Sequence, residues 1–173
     1  MASNFITYTK HGVAESTLLK ATQVGHHYNL VNESKDIDNG SVAVIGDRKR
    51  ADVFEAKVPT KGDKIVLILT APKIYQEYET RMQEESNFYN GKGEVMRAYE
   101  IQDTDRFTLS TEAFADDAEL AVGKYVFVDG TGYKLTTGEK PNMTEYGFVG
   151  HIYEVAANGN YRIWVDKNAQ VYA

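Results

Sequence analysis

Cysteine is absent from this sequence, which removes both a disulfide framework and thiolate chemistry and leaves stability to packing, hydrogen bonding and oligomerisation. Apolar runs are short, and none approaches the roughly 20 residues of a membrane-spanning helix. The start "MASNFITYTKHG" lacks the basic and apolar segments of a cleaved secretory signal. We therefore expect a soluble protein that such a signal does not export. Positive charge is also scarce: 19 basic residues stand against 25 acidic ones, a formal net charge of -6, which argues against a phosphate-binding surface and a direct nucleic-acid partner.

What is present points to a packed β protein. Of the 173 residues, 42% are apolar, enough for a proper core. Twelve tyrosines outnumber seven phenylalanines and one tryptophan. Tyrosine is a strand former with a polar tip, so this excess fits half-exposed sheets or a broad contact surface.

The pattern along the chain divides it into three parts. Residues 1–25 hold "FITYT" and the helix-like "AESTLLKAT" and read as an N-terminal arm. Residues 26–92 form a first β-rich portion. It contains "HHYNLVN", a turn at Asn39-Gly40, "SVAVIG", the alternating "DVFEAKV" and the continuous run "KIVLILTAP", whose unbroken apolarity predicts burial on both faces. Its helical connector spaces Ile74, Tyr75, Tyr78 and Met82 as on a helix and stops at Asn90-Gly91. Residues 93–173 form a second β-rich portion: "EVMRAYEIQ", the turn "DTD", "RFTLS", then a short helix at "TEAFADDAEL" capped by Ser110 or Thr111. It continues with the hairpin "VGKYVFVDGTGYKLTT", reversing at Asp129-Gly130, and ends with a hairpin around Asn158-Gly159. The fold class predicted is mainly β, a short-stranded antiparallel β-sandwich or barrel-like architecture of eight to ten strands, with one to three short helices and an N-terminal arm. A single compact domain is the alternative to two β-rich portions.

Catalytic and ligand motifs are weak. His11, His26, His27 and His151 invite a metal reading, but adjacent strand residues point to opposite faces, so His26 and His27 do not suit one ion. "DIDNGS" has two aspartates before a glycine but lacks the spacing and closing glutamate of a calcium loop. The acids of "DTD" (Asp103, Asp105) and Asp116, Asp117 and Glu119 read as solvated turns, because carboxylate catalysis needs one acid in an apolar pocket beside a second. Neither "NGKGE" nor "VGKY" has phosphate-loop spacing, and no serine sits in a nucleophile elbow. No catalytic, cofactor or metal residue is assigned, and an enzyme is not expected. The basic triplet Arg48-Lys49-Arg50 is either a solvated turn or a clamp for an acidic patch on a partner.

One resemblance stands out. The order "NFYNGKGEVMRAYEIQDTDRFTLSTEAF", a short acidic gap, "VGKYVFVDGTGYKLTT" and "YGFVGHIYEV" resembles the head decoration, or cement, proteins of tailed bacteriophages. It rests on the strand running into Arg97, the turn at 103–105, the "FTLSTEAF" run and the Gly123-Lys124-Tyr125 opening, and covers about the last 85 residues. The resemblance implies a non-enzymatic virion protein, assembled in the host cytoplasm. Such a protein binds the outer surface of the capsid, often as a trimer, and stabilises it by bridging major capsid protein subunits. It needs no cofactor, membrane or nucleic acid. On that reading the candidate capsid contacts are Phe5, Tyr8 and Lys10 of the arm, with Arg48, Lys49 and Arg50. The alternative is a soluble β-sheet module that binds carbohydrate or peptide through exposed tyrosines such as Tyr125, Tyr133 or Tyr153.

Overall fold

The computed structural model describes residues 10–73, 76 and 78–172. Phe5, Tyr8, Ile74 and Tyr75 therefore lie outside the described residues. The described chain is mainly β, with thirteen strands and two short α-helices. In order these are β1 (Ala14–Leu18), α1 (Lys20–Val24), β2 (His27–Val31), β3 (Ile37–Asp38), β4 (Val42–Arg50), β5 (Val53–Lys57), β6 (Val66–Ile68), α2 (Thr80–Gln83), β7 (Tyr89–Asn90), β8 (Val95–Glu100), β9 (Arg106–Leu109), β10 (Tyr125–Phe127), β11 (Thr136–Gly138), β12 (Phe148–Val155) and β13 (Tyr161–Asn168). The count exceeds the expected eight to ten because several strands have only two or three residues, too short to show a period.

Two β units pack on a core between them, and the barrel encloses a second. A closed five-stranded barrel runs β2-β5-β4-β6-β8, and an open six-stranded antiparallel sheet runs β1-β9-β13-β12-β10-β11. The period of two along each barrel strand decides which unit a side chain serves. Leu30, Ala43, Ala56, Val66, Ile68, Met96 and Ala98 fill the barrel. Val42, Leu67, Ile65 and Ile101 point outward and pack on Phe107, Leu109, Val126, Ile152, Ile163 and Val165 of the sheet. The run "KIVLILTAP" is thus apolar throughout because Val66 and Ile68 serve one core and Ile65 and Leu67 the other. The alanines inside let the strands close on a small radius.

Several expectations are corrected. Ala14–Leu18, which reads as helix by its Ala, Glu and Leu content, is an edge strand against β9, because tertiary pairing overrides local propensity. Residues 14–25 of the segment expected as an arm belong to the main body, and Leu19 is fully buried. The division at residue 92 is crossed in both directions: β8 closes the barrel, while β1 joins the sheet. The connector keeps one turn of α-helix at Thr80–Gln83 and a 3₁₀ turn at Glu85–Asn87. "TEAF" gives a 3₁₀ turn at Thr111–Ala113 with no side-chain cap, since Ser110 Oγ instead accepts the Val13 N–H at 3.0 Å.

The expected hairpin of residues 122–137 exists as the pair β10–β11, but its reversal is not at Asp129-Gly130 alone. A long loop carries Tyr133 into the end of the barrel before the chain returns. Gly130 keeps a positive φ of 89° in that loop, where a Cβ would meet only the Thr60 Cα at an ordinary contact of 3.9 Å. Gly130→Val is therefore expected to destabilise the fold by about 1–3 kcal/mol through backbone strain rather than a clash. Urea unfolding would show this, and an unchanged midpoint would contradict it.

A charged cluster fastens the barrel seam. Glu100, at the end of β8, receives the Lys64 ammonium and lies 2.5 Å from His26 Nδ1. The Lys64 hydrogen bond holds the Glu100 carboxyl below its ordinary range, against the opposing effect of partial burial. A depressed carboxyl contributes stability above its unfolded value of about 4.3, and that contribution is lost as pH falls through the folded value. Glu100→Gln should therefore lower the urea midpoint at neutral pH, with the difference from wild type closing below about pH 4. A constant difference across that range would count against the seam.

Candidate interaction face

Register aligns one outward row across the whole sheet. Leu18 pairs with Arg106, Arg106 with Trp164, Trp164 with His151, His151 with Tyr125, and Tyr125 with Gly138. Directly paired residues of antiparallel strands point to the same face, so these side chains lie side by side over six strands. The inward partners of the same strands, Phe107, Ile163, Ile152 and Val126, are fully buried. The outward row is half-buried, and Leu18 is exposed at its edge.

Contacts within the row fix its geometry. The Arg106 guanidinium lies 5.2 Å from the Trp164 ring centroid, a cation–π distance. Tyr153, outward by alternation after the buried Ile152, meets Trp164 edge-on at 6.2 Å. His151 Nδ1 is 2.9 Å from Asp166 Oδ2, and its ring is 6.2 Å from that of Tyr125. Arg162 donates to Glu154 at 2.9 Å, which holds the guanidinium further above its ordinary range. Segment 139–147 rims one side: Tyr146 packs edge-on against Phe127, and Lys167 Nζ donates to the Met143 and Tyr146 carbonyls at 2.8 Å each. A shallow concavity there is lined by Tyr125, Lys140, Met143, His151 and Asp166.

Chemically this is a surface of aromatic rings, planar cations and paired acids. The carboxylate of Asp166 orients the His151 ring, whose only side-chain hydrogen bond among the described residues is this one. A broad, half-desolvated patch rich in Trp, Tyr and Arg is the composition that carries binding energy in protein interfaces.

The residues singled out from sequence fall elsewhere or differ in environment. Arg48, Lys49 and Arg50 form the exposed end of β4 rather than a turn; the turn follows at Ala51-Asp52. Arg48 Nε donates to the Ala51 carbonyl at 2.5 Å, and Lys49 lies 3.5 Å from Glu55. Lys10 is exposed and far along the chain from them. Tyr133 is buried and unavailable as a surface tyrosine. The "DTD" turn is solvated only in part: Asp103 is exposed, as expected, and accepts the Asn168 N–H, whereas Asp105 is fully buried and accepts the Lys20 and Gln102 N–H groups. Asp116, Asp117 and Glu119 are exposed, as the turn reading has it.

The histidines do not gather. His11 lies 2.7 Å from Asp38, His26 beside Glu100 and His151 beside Asp166, while His27 stacks near Tyr99. No group of three or more potential metal ligands occurs among the described residues. Each carboxylate partner is remote in sequence, so no local spacing could have shown these pairs. No described helix is long and apolar enough to cross a membrane. Comparison with family models, curated proteins and solved structures gave no match.

Proposed function

We propose that this protein is a non-enzymatic structural protein that binds the outer surface of an assembled bacteriophage capsid and stabilises it by bridging major capsid protein subunits, as a homotrimer or other homo-oligomer. The observation that carries the reading is the aromatic and cationic row across the six-stranded sheet, a surface suited to a broad partner rather than to a small substrate. The resemblance to decoration proteins supports it from a second direction, its segments falling on β7 to β12. Many copies acting on one lattice add modest single contacts into a large total stabilisation.

The Tyr153–Trp164 pair favours one other reading, a module that binds carbohydrate or peptide on the same face. The two separate on shells. When purified protein is added to mature shells stripped of it, co-sedimentation should saturate at a fixed number of copies per particle, and the decorated shells should resist heat better. Binding to free glycans without binding to shells would favour the module.

A further inference from the structure

The outer face carries basic side chains that meet no carboxylate among the described residues, on a chain whose net charge is -6. Of the acids on this face, Asp166 is engaged with His151 and Glu154 with Arg162, while Glu15, opposite Thr108 on the far side of Arg162, accepts the Asn158 and Asn160 amides. Arg106, Lys140 and Lys167 have no carboxylate partner among the described residues, and Lys167 is held by main-chain carbonyls alone. Arg106 goes further: no acceptor among the described residues meets its guanidinium, and its Nε is buried without a hydrogen-bond partner. A guanidinium has five donors in a planar fork, and leaving them unmet in a half-desolvated setting is unfavourable. The Trp164 ring lies beneath its Cζ at 5.2 Å, and Leu18 is its direct neighbour across the strand pair.

From the unmet guanidinium we infer that the face captures a carboxylate-bearing segment of a protein partner, with Arg106, over the Trp164 ring, as the anion contact. A carboxylate is the group whose geometry matches two parallel N–H donors, and a stacked arginine has lost little further freedom when it binds one. Leu18, Tyr153 and Tyr125 flank the contact with apolar surface, so the segment that fits carries apolar or aromatic residues beside its acid. Lys140 and Lys167 add long-range attraction for the same sign of charge. The inference rests on the reading that the partner is a protein surface, and it names the chemistry of that surface.

Trp164 is the only tryptophan in the chain, so its fluorescence reports directly on the contact. The full-length protein is titrated with the peptide acetyl-Leu-Glu-Phe-Glu-Leu-amide and with its counterpart carrying Gln for Glu. The Glu peptide should change Trp164 emission saturably in about the millimolar range. The Gln peptide should bind at least tenfold more weakly, and added salt should weaken the Glu peptide. Arg106→Gln should abolish the difference between peptides, while Arg106→Lys, which keeps the charge without the fork, should retain only part of it. Equal response to both peptides, or no response to either, overturns the inference; if Arg106→Gln does not fold, the peptide pair on wild-type protein still decides. Inorganic phosphate or a neutral glycan matching the Glu peptide would also overturn it. Shells that bind Arg106→Gln as well as wild type sink this inference and leave the capsid reading standing. Shells that do not bind the wild type, alongside intact peptide discrimination, sink the capsid reading alone.

Discussion

Replacing Asn168 with leucine is expected to cost about 3–6 kcal/mol of stability. Asn168 is buried at the end of β13, and its amide joins the two β units. Nδ2 donates to the carbonyls of Ile65 and Ile101 at 2.8 Å each, and Oδ1 accepts the Ile65 N–H at 3.0 Å. Ile65 and Ile101 flank barrel strands β6 and β8, so one sheet side chain satisfies three barrel main-chain groups. Leucine has nearly the same shape, so the loss isolates the hydrogen bonds: three buried groups lose their partners at about 1–3 kcal/mol each, with partial relaxation. Urea denaturation measures the difference, and a shift below about 1 kcal/mol would show that the units are held by apolar packing alone.

Tyr133→Ala should be of comparable size and act from the other side. Tyr133 hangs from the β10–β11 loop into the barrel end, where its hydroxyl donates to the Ala56 carbonyl at 2.8 Å and accepts the Asn32 amide at 2.7 Å. Burial raises its phenol above the ordinary range, partly offset by the Asn32 bond. The alanine variant loses ring burial, about 3–5 kcal/mol, and strands both partners. Tyr133→Phe keeps the ring and loses only the hydroxyl, so about 1–3 kcal/mol is expected. If both variants cost the same, the ring does not plug the barrel.

These two residues also show what was legible in the sequence. The β class, the hairpin at Asn158-Gly159 and the doubly buried run at Ile65–Ile68 are local patterns, carried by alternation, a turn dipeptide and unbroken apolarity. Gly159 takes the positive φ that its turn predicts. The joining of sheet to barrel is not local. Tyr133 reads as one more alternating strand residue, and only a barrel end assembled from distant strands turns it into a plug. The parallel pair β2–β5 that closes the barrel is equally silent, since nothing near Asn29 points to Val53.

The candidate interaction face was half legible. Tyr125, Tyr153 and Trp164 stand on recognisable strands, and outward alternation follows from the buried partners between them. Their alignment into one row depends on register, which irregularities at Val149/Gly150 and Ile152/Glu154 shift, and these have no signature in one sequence. The basic triplet drew notice because it is contiguous. Arg106, beside Trp164 and without an acid partner among the described residues, carries more information but is a single residue, marked only by what folding places around it.

What the sheet's outer face touches decides whether the protein is a capsid-binding one. Cryo-electron microscopy of shells decorated with the purified protein, compared with bare shells, measures this directly. The account predicts added density at a fixed set of lattice sites on the capsid exterior, bridging neighbouring major capsid protein subunits, with Arg106 and Trp164 buried against them. Identical maps with and without the protein would contradict it.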